Sequence, residues 1–483
     1  MNNKKFPRTF WIANIIELVE RWAWYGFFLL LPNYLTGSAD QGCLEFSQAQ
    51  KGTLMGIGTG ILYFLPVFTG ALADKWGYKK VLFTAFVVYV SAFLLMPICS
   101  TYPSFFAAYL LLAVGAALFK PIPSATISKT TNEGNSSIGF GIFYMMVNIG
   151  AFFGPLVSLL FKKGDPKMIF YISAAIVAIN FLLLLFYKEP ERSEEEKSQR
   201  KSILDIFRNM ACIFKDFKFV IFLLIVAGFW TMYNQLFYTL PIFISQWVNT
   251  EPMYNFFVNY IPFFANNYSM APGVMDAEFV CNLDALYIIV FQLFVSSIVM
   301  KMKPLNSMIS GFLVCTIGMA MTLFFQNVIF TMVAILVFSL GEMAGSPKIT
   351  EYIGRIAPAD KKALYMGYSF IPVFLGNILA GVISGPVFQN IADKVTLVKR
   401  FVTENGLSVD SNLSQSEFFN AAATQAGMTP NELTQHLWEI YTPSNMWMVV
   451  FAIGIFATIA LFIYNQWLTR LERRAANLAD SRH

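Results

Sequence analysis

Twelve apolar stretches, each about as long as a bilayer core is thick, follow one another along this chain, near residues 9–35, 51–70, 81–99, 104–128, 139–161, 168–188, 219–248, 280–300, 308–325, 328–353, 364–388 and 444–468. A helix needs about 20 apolar residues to cross hydrocarbon. With no water there, every backbone N–H and C=O must be satisfied within its own segment, so runs of this length fold as helices. A chain that is 56% hydrophobic and 13% charged lies outside the range of soluble domains. The predicted fold class is an all-α membrane protein of twelve transmembrane helices.

The first stretch is too long and too charged for a cleavable leader, so it is expected to remain as the first span. If the N-terminus is cytoplasmic, the two tails and the even-numbered connections hold 24 Lys and Arg, against 6 in the odd-numbered ones. The positive-inside rule selects that orientation, in a plasma (inner) membrane with both termini cytoplasmic. The net charge of +5 is mostly this bias and implies no nucleic-acid partner. The four other cations are Arg21, Lys51 at an outer edge, Lys120 and Lys348. Of these, Arg21 and Lys120 are expected to be deep.

Charge inside a span marks a functional site by default. Glu17, Glu20 and Arg21 lie within ELVERWAWYG of the first span, ~10–18 Å deep at about 1.5 Å rise per residue. Spacings of three and four put Glu17, Glu20, Arg21 and Trp24 on one helical face, which is expected to look into a water-filled cavity. Lys120 in the fourth span reaches a similar depth, so an ion pair with this stripe is geometrically open. Glu342 in the tenth span is also near mid-depth. Asn148, Asn234, Gln235, Asn282 and Asp284 are further polar positions that suit either cavity lining or interhelical hydrogen bonds.

As ionised groups, Glu17, Glu20 and Glu342 exceed Arg21 and Lys120 by one negative charge, which one proton balances. A buried carboxylate held between desolvation and a cation can load and release a proton. Protons are therefore the expected coupling ion, with no cofactor and no metal. Paired cations suit a carboxylate and Glu342 on the other half suits an ammonium, so a zwitterion could bridge the halves. Tyr25, Tyr63, Trp24 and Trp230 supply aromatic walls. The two histidines, His436 and His483, fall outside the spans, which leaves no histidine relay. Five scattered cysteines show no CxxC spacing. The absence of HExxH and GxSxG argues against an enzyme.

A charged connection, EPERSEEEKSQRKSILDIFRNM, divides the chain six spans plus six. The expected organisation is a six-helix bundle over 1–188, a cytoplasmic linker over 189–218, and a second bundle over 219–483 with outer loops 249–279 and 389–443. Ser414 or Ser416, and Pro430 with Glu432, read as starts of short amphipathic helices in the second loop.

These features resemble a known family. GALADKWGYKK at 70–80 is similar to the signature loop of the major facilitator superfamily, in which Asp74 and the basic cluster would lock a cytoplasmic gate. ELVERWAWYG resembles the ExxER element of the proton-dependent oligopeptide transporters (POT family) within that superfamily. GAALFKP, FYMMVNIGAFFGP and GEMAGSPKITEYIGRIAP follow in the expected order, and the resemblance spans both halves. It implies two six-helix bundles working by alternating access and proton-driven import of di- and tripeptides. Glu17, Glu20, Arg21 and Lys120 would form the proton-coupling cluster, with Arg21 and Lys120 on the peptide carboxylate. Glu342 would take the α-amino group, Asn148 and Asn282 the peptide backbone, and Tyr25, Tyr63 and Trp230 the remaining pocket surface; Asn234, apart from the resemblance, is a candidate to hydrogen-bond amide groups between the substrate's ends.

The chain departs from the pattern at four places. FWTMYNQ puts Asn234 where the family has an acid, and Asp284 is a candidate replacement. Trp24 stands for a Tyr. TISKTTNEGNSSIGF lacks the usual charges, and 189–218 is too short for two extra helices. The expected partners are a short peptide or similar zwitterion and the lipid bilayer, with the protein acting as a monomer. A non-peptide carboxylate, amino-acid derivative or nucleoside is the alternative cargo. A non-transporting sensor would need a docking domain, and the tail RLERRAANLADSRH is too short to be one.

Overall fold

The computed structural model describes residues 6–132, 135–190, 216–322, 324–358 and 362–480. Among them, eleven helical stretches are long and apolar enough to cross a membrane. Arg8–Phe28, continued by Leu31–Thr36, is the twelfth span. It falls short of that pattern only because Glu17, Glu20 and Arg21 lie within it. Most of the 189–218 connection, including the question of extra helices, lies outside the described residues.

Several spans are broken, and prolines explain three of the breaks. A proline has no N–H to give to the preceding turn, but it fits the first turn of a new helix. The second span is Gln48–Phe64 then Pro66–Trp76, and the fourth is Tyr102–Phe119 then Pro121–Thr130. The seventh runs Phe217–Tyr233, Gln235–Tyr238, Leu240–Trp247, with Pro241 in its last piece. The eighth is Ala277–Cys281 then Leu283–Val299. Lys120, Asn234 and Asn282 each sit at one of these breaks. Three of the polar residues singled out from sequence thus occupy points where the helical ladder is interrupted.

The two halves pack by the same rule. In the first, span 1 lies against spans 5 and 6, span 3 against 4 and 6; in the second, span 7 lies against 11 and 12, span 9 against 10 and 12. The halves meet through span 2 on span 11 and span 5 on span 8, which are equivalent contacts under that repeat. At the 2–11 contact Gly52 and Gly56 face Gly381 and Gly385, so that a Cβ added at Gly52 or Gly381 would run into the other helix's backbone.

One face carries the connections 249–279 and 389–443, and the other carries Phe6 and Asp480, the first and last described residues. On the loop face, Gln415–Gln425 starts at Ser414 and Pro430–Tyr441 at Thr429, each with a reciprocal capping box to Glu417 or Glu432. A further helix, Lys394–Glu404, capped by Asp393, was not anticipated from the sequence. Loop 249–279 holds helices Glu251–Tyr260 and Pro262–Asn267 and a short antiparallel pair, Ser269–Ala271 with Val274–Met275.

On the terminal face, GALADKWGYKK turns at Gly77, whose φ of +98° favours glycine. Gly77→Ala is expected to cost about 1–3 kcal/mol for a side chain forced into that region. Thermal unfolding of the purified protein should show it as a lowered midpoint; an unchanged midpoint means the turn relaxes.

Candidate functional site

In the N-terminal half, Arg21 Nε donates to Glu20 Oε2 at 2.5 Å and Nη2 donates to Oε1 at 2.7 Å. Arg21 Nε is 3.4 Å from Glu17 Oε1. Such a two-pronged fork fixes direction as well as charge. Tyr89 Oη of the third span donates to Glu20 Oε1 at 2.5 Å. The stripe is therefore not wholly turned to a cavity. Glu20 is 0% exposed inside the bundle, with Glu17 and Arg21 at its edge. Trp24 is buried and stacks on Phe28 at 5.2 Å, so it is packing rather than a pocket wall.

Lys120 also departs from expectation. Its Nζ lies 4.0 Å from the centre of the Tyr63 ring, a cation–π contact. Among the described residues it makes no ion pair, although its charge reaches Glu17. The break at Pro121 sets it there. Tyr25 is half-buried, with Arg21, Tyr63, Tyr144 and Glu342 all within electrostatic reach. It is where the two halves of the site meet.

In the C-terminal half, Tyr233 Oη donates to Glu342 Oε1 at 2.8 Å. Trp230 crosses the Tyr233 ring edge-on at 4.9 Å. Glu342 Oε2, Trp230 Nε1 and Asn234 Nδ2 are buried, with no hydrogen-bond partner among the described residues. Buried polar atoms are nearly always paired, so three unpaired ones on adjoining spans point to a polar ligand. Asp284 accepts from Ser339 Oγ at 2.6 Å, and its charge reaches Glu342. The amide of Asn148 donates to Tyr144 O at 2.8 Å, and that of Asn282 to Phe152 O across the halves at 3.0 Å. Gln235 is buried and bonds within its own span.

The described hydrogen bonds between the halves gather on the loop face. Glu278, 0% exposed, accepts from Lys162 Nζ at 2.9 Å and Asn33 Nδ2 at 3.0 Å. Asp276 lies 3.8 Å from the same Lys162. Burial pushes the Asp276 carboxyl up to about 6 against the pull of Lys162, so it holds a proton more readily with this face closed. Closure is therefore favoured as pH falls through about 6. Lys51 is not the edge cation expected from its position. It is fully buried and donates to Tyr238 O at 2.9 Å and Ser384 O at 2.7 Å, both carbonyls at interruptions in the opposite half's helices. Gln48 Nε2 adds a bond to Asp393 at 3.1 Å. A cavity of about 1280 Å³ opens on the loop side, lined by Asn33, Lys162 and Asp276 among others. It is a vestibule beside this closure, distinct from the Arg21–Glu342 site.

Asp74, on the terminal face, accepts from Tyr78 Oη at 3.2 Å. The described cysteines, Cys43, Cys99, Cys281 and Cys315, are free thiols. Among the described residues no group of three His, Cys, Asp or Glu is placed to hold a metal ion. Tyr89, Tyr233, Lys51 and the Lys162–Glu278 pair are the participants that sequence reasoning missed.

Residues 13–381 match the family model of the Major Facilitator Superfamily. An uncharacterised MFS-type transporter, YqjV, of Bacillus subtilis is 25% identical over 358 residues, 74% of this chain and 80% of that protein. Dipeptide and tripeptide permease A of Cronobacter turicensis is 29% identical over 194 residues, 39% of this chain and 38% of the permease. Among solved structures, a POT family transporter bound to 5-aminolevulinic acid superposes with a TM-score of 0.70 at 15% identity, covering 96% of this chain and 97% of that one. Peptide transporter POT in complex with sulfate gives 0.67 at 16%, covering 97% and 95%. The structural likenesses show the same fold. With its two repeated six-helix bundles and the match over most of its length, this chain belongs to the Major Facilitator Superfamily and is a membrane transporter, not an enzyme.

Proposed function

We propose that the protein is a proton-coupled symporter that imports di- and tripeptides by alternating access, with both termini in the cytoplasm. The observation that carries this reading is the polarity of the site. Arg21 and Lys120 stand on one half, Glu342 with its unpaired oxygen on the other, and Tyr25 lies between them. A zwitterion with separated ends satisfies both sides at once. The carboxylate takes the cations, which loosens the hold of Arg21 on Glu20 and Glu17 and frees those acids to exchange protons. The bonds on the loop face describe a carrier closed to the outside.

A second cargo class is favoured by one detail. The amide donors of Asn148 and Asn282 are engaged by backbone carbonyls, so a small zwitterion without an internal amide would lose little here.

The test is uptake by purified protein in liposomes under separate pH and voltage gradients, offering dialanine, trialanine, alanine and a nucleoside. Dialanine accumulation that follows the pH gradient supports the proposal. Accumulation indifferent to that gradient overturns proton coupling, and uptake of alanine alone overturns the peptide assignment. In the same assay Glu342→Gln should weaken dialanine binding about 10–100-fold, since a hydrogen bond to a charged group is worth ~1.5–3 kcal/mol. Unchanged affinity would remove Glu342 from the ammonium site.

A further inference from the structure

The two acids of the C-terminal half share an environment that the N-terminal cluster does not have. Asp284, 6% exposed, sits at the start of the long piece of span 8 and Glu342 lies on span 10, one turn beyond the Ser339 that donates to Asp284. The charge of Asp284 reaches Glu342. The titratable groups facing them come from every neighbouring element: Tyr25 of span 1, Tyr144 of span 5, Tyr233 of span 7, Cys281 of span 8 and Cys315 of span 9. None is a cation. Among the described residues, no Lys, Arg or His pairs with either acid.

Two ionised carboxylates inside the bundle without a counter-charge repel each other, and such pairs bind protons as a unit. We propose that Asp284 and Glu342 together hold one exchangeable proton, making the C-terminal half a second proton-coupling site beside the Glu17–Glu20–Arg21 cluster. This rests on the symporter reading and deepens it. With one proton the pair carries a single negative charge, which one substrate ammonium balances. Without the proton it carries two, and one ammonium leaves the chamber charged. Proton and substrate therefore cross together because only their joint presence neutralises the pair. The proton comes from water on the side that loads the site and returns to water where the site empties; no covalent bond changes. Cys281 lies within electrostatic reach of both Asp284 and Glu278. That places Asp284 between the substrate acid and the loop-face closure, where its charge can bias that closure.

The experiment uses full-length protein in liposomes. Reversal potentials with dialanine give the ratio of protons to substrate, and Asp284→Asn should lower it by one while Asp284→Glu keeps it. An unchanged ratio in Asp284→Asn overturns the proposal. A substrate-free readout separates this from failure of the cargo assignment. Infrared difference spectra across a pH series should show a protonated-carboxyl band in the wild type. Its midpoint should move to lower pH by about one unit or more in Asp284→Asn, the scale at which two sites titrate as a pair. Glu342→Gln should move it likewise from the other partner, which covers an Asp284 variant that does not fold. A band unmoved by either substitution overturns the shared proton even if dialanine is carried; a band that moves upholds it even if dialanine is not.

Discussion

Glu20→Gln is expected to remove one coupled proton, lowering gradient-driven accumulation while sparing exchange of substrate across the membrane. Glu20 is the most enclosed member of its cluster, gripped by the Arg21 fork and by Tyr89. A glutamine fills the same space and still accepts hydrogen bonds, so substrate can bind and the carrier can turn over in both directions. It cannot bind and release a proton. Each coupled proton carries ~2.3 kcal/mol per 100 mV, enough for about 50-fold accumulation, and the variant should fall short of the wild type by about that factor. Counterflow of labelled dialanine measured beside uptake against a pH gradient separates these behaviours. If the variant concentrates dialanine as far as the wild type does, Glu20 carries none of the coupled protons. If exchange is lost as well, Glu20 is needed to hold the bundle together.

Lys162→Met should unlock the loop face. The substitution leaves Glu278 fully buried with Asn33 as its remaining described donor, and with Asp276 close by. Removing one partner of a buried ion pair costs ~3–5 kcal/mol, so the closed form should lose about 10²–10⁴-fold in population relative to the open one. Cys281, 2% exposed behind this closure, is the natural reporter. Its modification by an impermeant maleimide from the loop side should accelerate, and net uptake should slow. The double change Lys162→Met with Glu278→Met removes the stranded charge and should restore protection, the coupling expected of a pair in contact. Labelling as slow in the single variant as in the wild type would assign the closure to Lys51 and the glycine contact instead.

What could be read from sequence was set by length and charge, and what could not was set by partners. Apolar runs of bilayer length fix where helices lie, and the exceptional charges in span 1 announce a site. Ser414 or Ser416 reads as a helix start because capping chemistry is local, and the structure selects Ser414, boxed with Glu417. Tyr89 and Tyr233 were invisible: in a chain that is 17% aromatic, no single tyrosine stands out, and each matters only through a carboxylate brought to it by folding. Lys51 was misjudged because it stands at the beginning of an apolar run, where a cation usually reaches water. Its actual acceptors are carbonyls freed at helix interruptions 187 and 333 residues away. Lys120 was expected to pair with an acid, and its partner is the Tyr63 ring instead, at the break that Pro121 makes in span 4.

Where spans 2 and 11 touch, Gly52 and Gly56 oppose Gly381 and Gly385, main chain against main chain. Helices that interlock through side chains must unmesh knob by knob before they can shift. At these glycines there is nothing to unmesh, so this end of the contact works as a bearing, while the rings of Phe64 and Phe374 pack 5.1 Å apart at its other end. The energy barrier to switching access then resides in the discrete hydrogen bonds around the contact, such as those of Lys51 and Lys162, which ligand and protons can make or break.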